Sequence, residues 1–187
     1  ITGATSGIGY ELAKIFAENK YNLIISARNK NMMESIKIDF EKKYGINVSI
    51  FEKDLSQKNS AAELFNEVKS ENIQVDILIN NAGAGYVGEF LKEDLEKDES
   101  IMELNMDSLT ILTKLFAKEM VKRRSGKILN VASTGAYHPG PYTAVYYATK
   151  AYVLSFTEAL AVELKPYNVK VSALCPGATK TNFSKNA

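Results

Sequence analysis

One cysteine and one histidine are all that this 187-residue sequence holds of the two residue types that most often carry metal or nucleophilic chemistry. Cys175 alone permits no internal disulfide, which fits a reducing compartment, and a cytoplasmic protein is expected. With His138 as the only histidine, metal sites built on several His or Cys ligands are excluded, and a Ser-His-Asp hydrolase would have to use that one residue. His138 opens the run His138-Pro139-Gly140-Pro141 and is expected in a loop. Arginine is scarce too, occurring only at 28, 123 and 124. No apolar run approaches the roughly 18 residues of a membrane span, and no secretory signal pattern is visible. A formal net charge of +1 gives no electrostatic reason to expect a nucleic acid or an anionic membrane as partner.

What is present is an ordinary globular composition, 45% hydrophobic and 24% charged, at a length that suits one domain with a sizeable core. Strand and helix patterns alternate along it. Strands are expected over 21–27, at Ile46, Val48 and Ile50, and over 75–80, 127–132 and 169–174. One helix is expected from an Asn29 cap to Tyr44, stopped by Gly45. Another starts from a capping box at Ser60-Ala61-Ala62-Glu63. Two more are expected over 100–124 and 146–165, the last ended by Pro166. Continuous apolar strands separated by helices mean an α/β fold, a doubly wound parallel sheet covered on both faces. Ligands of such sheets bind beyond the carboxyl ends of the strands, near the switch in strand order.

Two local patterns carry chemistry. The opening Ile1-Thr2-Gly3-Ala4-Thr5-Ser6-Gly7-Ile8-Gly9 sets three glycines ahead of a helical pattern carried by Ile8, Leu12, Ile15 and Phe16. Glycine allows a tight turn and a close backbone approach to a pyrophosphate, while the helix start adds unpaired N–H groups and a positive dipole end. Far along the chain, Tyr146-Tyr147-Ala148-Thr149-Lys150 places a phenol and an ammonium on one helix face. A free tyrosine, with a pKa of about 10, is a poor proton donor at pH 7. A cation within about 4–6 Å favours the phenolate, and bringing the pKa to about 7 needs about 4 kcal/mol. A solvated pair on an exposed helix would look the same locally, and Tyr137, Tyr142 and Tyr147 crowd the segment. Only Tyr146 has a lysine four residues on.

Arg28 lies 19 residues after Gly9, in Ser26-Ala27-Arg28-Asn29, where no carboxylate is present. An acidic residue in that region takes a ribose 2′-hydroxyl, whereas an arginine accommodates a 2′-phosphate. NADP (NADPH) is therefore favoured over NAD. A plain strand-end surface charge is the other reading of Arg28.

Thr2-Gly3-x-x-x-Gly7-Ile8-Gly9, taken with Tyr146-x-x-x-Lys150 well over a hundred residues later, resembles the short-chain dehydrogenase/reductase family. The resemblance runs from Thr2 to Thr181. It implies a Rossmann fold and one NAD(P)-binding domain over 1–187, cut at both ends so that the first strand and a C-terminal substrate segment are missing. It implies cofactor contacts from Gly3, Thr5, Ser6, Gly7, Ile8 and Gly9, from Asp54 and Leu55 near the adenine, and from Asn81, Ala82 and Gly83. Asp54 suits a turn or helix cap equally well. Pro176, Gly177 and Thr181 are implied as nicotinamide-side contacts.

For catalysis the resemblance implies four residues. Ser133, 13 residues before Tyr146, polarises the substrate oxygen, with Thr134 as a weaker substitute. Tyr146 moves the proton. Lys150 binds the nicotinamide ribose and lowers the Tyr146 pKa. Asn105 holds a water that links Lys150 to solvent, although a solvent-facing helix asparagine is the plainer reading. The implied activity is interconversion of a carbonyl and a secondary alcohol, of 3-ketoacyl or hydroxysteroid type, on a small molecule. A homodimer or homotetramer is implied, formed through the helices at 100–124 and 146–165. Two rivals remain. An epimerase or dehydratase of the extended group shares the Tyr–Lys spacing, against which the glycine spacing argues. A non-catalytic NADP-binding regulator has no use for all four catalytic residues together.

Overall fold

The computed structural model describes residues 1–179. Helix and strand alternate through α1 (Gly7–Glu18), β1 (Leu23–Ala27), α2 (Lys30–Tyr44), β2 (Val48–Glu52), α3 (Ser60–Ser70), β3 (Ile77–Asn80), α4 (Leu95–Met102), α5 (Ser108–Lys122), β4 (Gly126–Val131), α6 (Ala144–Glu163) and β5 (Val169–Leu174). β1 pairs with β2, β3 with β4 and β4 with β5, each in parallel. Successive strand residues point to opposite faces. Leu23, Ile25 and Val48 accordingly enter a core with Ala13 and Ala17 of α1 and Met33, Ile36 and Phe40 of α2. Their neighbours Ile24 and Phe51 enter the other core, with Leu64 and Val68 of α3 and Leu112, Phe116 and Met120 of α5. Both faces are thus covered, and the fold is Rossmann-like.

The two groups of strands are joined by residues 1–3, centred on Thr2. Thr2 forms an isolated parallel bridge with Ser26 of β1, and its amide donates to the Ile79 carbonyl of β3 at 3.0 Å. The strand order is therefore β2-β1-Thr2-β3-β4-β5. The chain leaves Thr2 toward β1 and β2 and later returns on its other side, so the switch in strand order lies at Thr2. The Thr2 hydroxyl oxygen also accepts from the amides of Asn81 and Ala82, each at 3.0 Å.

The expected strand over 21–27 narrows to Leu23–Ala27, and that over 75–80 to Ile77–Asn80. Asn29 caps α2 as expected, its Oδ1 accepting from the Met32 amide at 3.0 Å, and Gly45 closes it in the left-handed region at φ 64°. The capping box at Ser60 does not form. Asn59, at φ 68°, is the cap. The Ser60 hydroxyl donates back to the Gln57 carbonyl at 2.7 Å, and the Glu63 carboxylate is drawn to Lys53 at 3.1 Å. The helix expected over 100–124 begins earlier, at Leu95. It passes without a break through one π turn, Glu103–Asp107, whose flanking residues keep right-handed helical dihedrals. A π turn inserts one extra residue into the helical ladder.

Polar side chains tie the layers together inside the core. Asn80 Nδ2 donates at 2.9 Å both to Thr113 Oγ1 on α5 and to Asn130 Oδ1 on β4. Asn130 Nδ2 donates in turn to Thr157 Oγ1 on α6 at 3.0 Å. All four are buried, where paired polar groups are tolerated and unpaired ones are costly.

Thr2→Val keeps the shape of this joint and removes its acceptor. Two backbone N–H groups lose their partner, at about 1–3 kcal/mol for each donor left buried and unmade. A stability loss of about 2 kcal/mol or more is expected in denaturant unfolding, and a variant as stable as the parent would show that the Thr2 hydroxyl does not hold the segment after β3.

Candidate active site

The glycine loop lies at the switch point. Gly3 has φ 65°, and a β-carbon on it would sit 2.9 Å from the Ala82 α-carbon. One on Gly9 would strike the Gly3 carbonyl and the Asn81 amide group. Asn81 stitches the cradle from the far side, its Nδ2 donating to the carbonyls of Thr2 and Gly3 at 3.0 and 3.1 Å. α1 then begins at Gly7 with no acidic residue in its first turn, and the side chain of its cap, Ser6, makes no capping bond. Thr5 and Ile8 are half-buried beside it and Ser6 is exposed. This arrangement suits an anion, since the first N–H groups of a helix lack partners within it.

Arg28 stands exposed immediately after β1. Beyond β2, the Asp54 carboxylate closes a turn, accepting from the Ser56 amide at 3.1 Å and the Ser56 hydroxyl at 2.7 Å. The Leu55 side chain is buried in the core, and its carbonyl accepts from Ser108 at the start of α5 at 2.7 Å. The Leu55 side chain is therefore turned away from any ligand at the strand ends. Beyond β5, the Pro176 carbonyl accepts from the Thr134 amide at 3.0 Å, while Gly177 is exposed with nothing near its missing β-carbon. Thr181 lies outside the described residues.

The expected catalytic side chains converge. Ser133 follows β4 and caps the short 3-10 turn Thr134–Tyr137, its Oγ accepting from the Gly135 amide at 3.0 Å. It is also hydrogen-bonded to the Tyr146 phenol. Tyr146 and Lys150 lie one turn apart on α6, with the Lys150 Nζ 5.8 Å from the centre of the Tyr146 ring. Lys150 is buried, its Nζ donating to the Val131 carbonyl at 2.8 Å. Loss of hydration holds its pKa down at about 8, against a smaller upward pull from Cys175.

Tyr146 departs from expectation. Burial pushes its pKa up, the Ser133 hydrogen bond offsets this in part, and Tyr147 adds to the rise. Lys150 is not among the causes. Its ammonium is committed to a backbone carbonyl and is itself destabilised by burial, so the phenol keeps its proton.

Asn105 sits in the π turn and is 1% exposed, which rules out a solvent-facing role. Its Nδ2 donates to the Ala84 carbonyl at 2.8 Å and to Thr149 Oγ1 at 2.9 Å, and its Oδ1 accepts from the Ala84 amide at 3.0 Å. Thr149 passes the chain of bonds on to the Tyr146 carbonyl at 2.7 Å. A β-carbon on Gly83 would lie 3.2 Å from Asn105 Oδ1 and 3.4 Å from Lys150 Nζ. Sequence reasoning missed Thr149, although it stands inside the Tyr-x-x-x-Lys motif. It also missed Gly85, where a β-carbon would come 2.6 Å from the Tyr146 ring. His138 is an exposed loop residue, as expected, with its ring 5.4 Å from that of Tyr147.

No cluster of three or more His, Cys, Asp or Glu suited to a metal exists among the described residues, and none of their helices is long and apolar enough to cross a membrane. A glycine loop that leads into a helix at the switch point of a parallel sheet marks the dinucleotide-binding class of α/β proteins.

Comparison with known proteins narrows the class. Residues 1–187 match the family described as short chain dehydrogenase, and the chain belongs to that family. It is similar to dehydrogenase/reductase SDR family member 7B of Xenopus tropicalis, with 35% identity over 195 residues covering 100% of this chain and 62% of the relative. The chain thus spans less than two thirds of that protein's length. Among solved structures, a short-chain dehydrogenase from Sphingobium yanoikuyae in complex with NADPH superposes with a TM-score of 0.93 at 33% identity, covering 98% of this chain and 71% of the other. A 4-hydroxyisoleucine dehydrogenase complexed with NADH gives a TM-score of 0.90 at 27% identity, covering 99% and 74%.

The buried Lys150 makes folding pH-dependent. Between about 8 and 10.5 the unfolded lysine holds a proton that the folded one has released, so stability rises with pH across that window and is flat on either side. The full span corresponds to about 3 kcal/mol. Unfolding of the parent and of Lys150→Met at a series of pH values should show their stability difference moving in the parent's favour across this window. A constant difference would contradict a desolvated amine.

Proposed function

We propose that the protein is an NADP-dependent oxidoreductase that interconverts a carbonyl and a secondary alcohol on a small molecule. The observation that carries this reading is the convergence of Ser133, Tyr146 and Lys150 at the carboxyl edge of the sheet, with Asn105 buried behind them. The nicotinamide cofactor, when bound, supplies or accepts the hydride. Gly3, Gly7, Gly9 and the start of α1 are read as the pyrophosphate cradle, with Thr5, Ser6 and Ile8 on its rim. Asp54 and the Leu55 backbone flank the adenine side. Asn81, Ala82 and Gly83 pass beside the cofactor, and Pro176, Gly177 and Thr181 hold its nicotinamide end.

Each catalytic role follows from local chemistry. Ser133 donates a hydrogen bond to the substrate oxygen and draws electron density from the carbonyl carbon. Tyr146 gives that oxygen its proton during reduction and removes it during oxidation. Burial keeps the Tyr146 phenol neutral in the cofactor-free protein, so the proton to be given in reduction is in place, and the lowering that eases its transfer is assigned to Lys150 once the bound dinucleotide favours the ammonium. Lys150 binds the ribose hydroxyls, and the negative charge of a bound dinucleotide favours its ammonium form. Asn105 fixes the backbone at Ala84 and the Thr149 hydroxyl, so it steadies the turn of α6 that carries Tyr146 and Lys150.

Arg28 supports NADP through its position at the end of β1, with no carboxylate near it in sequence. Relatives of this fold bind either cofactor, so the preference rests on that residue. We also read the protein as a homodimer or homotetramer through α5 and α6, which are bridged by Thr110 Oγ1 and Tyr152 OH at 2.8 Å and leave Val162 74% exposed. A cytoplasmic setting agrees with the free thiol of Cys175.

Two measurements test the reading. Tyr146→Phe should bind NADPH as the parent does and lose about 10²–10⁴-fold in carbonyl reduction. If the parent binds NADPH but reduces no carbonyl compound across a broad panel, the chain is a binding protein and the proposal fails. Arg28→Asp should weaken NADPH about 10- to 100-fold, a loss of about 1.4–2.8 kcal/mol, while leaving NADH nearly unchanged. Equal loss for both cofactors would remove the 2′-phosphate role.

A further inference from the structure

The segment after β3 is held at two points by one continuous helix. Asn105 takes both the amide and the carbonyl of Ala84. Two residues on, Tyr86 is 4% exposed, and its hydroxyl donates to Asp98 Oδ1 at 2.8 Å. Asp98 lies on α4 and is 6% exposed. Lys97 covers the Tyr86 ring, with its Nζ 4.6 Å from the ring centre, and pairs with Glu93 at 3.0 Å. Burial and the carboxylate of Asp98 push the Tyr86 pKa up to about 12, so its hydroxyl stays a donor.

Gly85 lies between the two clamps. A β-carbon there would fall 2.6 Å from Tyr146 Cδ2 and 2.8 Å from Cγ, so the Gly85 backbone is a wall against the Tyr146 ring. Where that wall stands is set by Ala84 on one side and by Tyr86 on the other. Asn105 has its own place beside Lys150 and Thr149. Among the described residues the Tyr86–Asp98 pair makes no hydrogen bond to Lys150, Ser133 or the glycine cradle, yet it is buried and charge-assisted, the stronger kind of hydrogen bond.

We propose that Tyr86 and Asp98 are positioning residues for Tyr146: their hydrogen bond holds the Gly85 backbone against the phenol ring and fixes the direction in which its hydroxyl points. This rests on the reading of Tyr146 as the proton-transfer group. A displacement of about 1 Å at a reacting group can cost about 100-fold in rate, so the pair acts on turnover rather than on cofactor affinity.

The test uses the full chain with NADPH, plus ¹³Cζ-tyrosine NMR with the Tyr146 signal assigned from Tyr146→Phe. Tyr86→Phe removes the hydroxyl but leaves Asp98 buried without its partner. Tyr86→Phe combined with Asp98→Leu leaves no unpaired charge, and replacing both partners by apolar groups is close to neutral for stability. The double variant should therefore fold, keep NADPH affinity and KM within about twofold, lose about 10- to 100-fold in kcat, and show a shifted titration midpoint for Tyr146. Asp98→Asn alone retains an acceptor for the Tyr86 hydroxyl and should keep kcat near the parent value. A double variant with parental kcat and an unmoved Tyr146 signal would overturn the proposal. So would a loss shared equally by kcat, KM and NADPH affinity. If the parent reduces no carbonyl, the function reading fails first, and the NMR comparison still decides whether the pair positions the ring.

Discussion

The sheet depends on the backbone of residues 1–3, with Thr2 at its centre. The Thr2 amide donates to β3, its neighbours Ile1 and Gly3 bond to Ser26 of β1, and its side-chain oxygen receives the two amides that follow β3. Without that segment the two strand groups would meet without a shared edge. Thr2 also begins the glycine cradle and positions Asn81, which closes that cradle. The joint of the fold and the entrance to the site are therefore one structure, and a small change at Thr2 reaches both.

The site also sets burial against charge. Lys150 is taken out of water and receives a single backbone acceptor in return, so its ammonium is destabilised in the resting protein. Tyr146 is shifted the other way by the same loss of hydration. Desolvation favours the neutral form of each, which leaves an uncharged phenol next to an amine that gives up its proton readily. An incoming anion changes this balance more than it could in an exposed pair, because little solvent screens it. The reactive state of the site is in this sense completed by what binds there.

Much of the site was legible because its chemistry demands fixed local spacings. The glycine loop, the Tyr146–Lys150 turn and the place of Ser133 follow from residue types a few positions apart. The strand ends that carry them could be read from apolar runs. What was not legible depends on partners distant in sequence. The Ser60 capping box failed because Lys53 drew Glu63 away and Asn59 took the cap. The direction of the Tyr146 shift depends on how deeply α6 is packed, which no spacing encodes. Gly85 looks like any loop glycine until the ring of a residue 61 positions later is found against it. Asn105 was found by its motif, but the π turn that carries it and its bonds to the Ala84 backbone leave no mark in the local sequence.

That π turn limits the length of the chain. Each residue of a helix advances the ring of side chains by about 100°, and the extra residue within 103–107 sets how Asp98 and Asn105 are turned relative to Ser108 and Thr113. Deleting any one residue there would give a more regular helix and a worse protein. The N-terminal half would swing by about 100° against the half fixed to the sheet, carrying its two clamps away from 84–86. Gain or loss of a single codon in this stretch is thus forbidden for reasons unrelated to which amino acid it specifies.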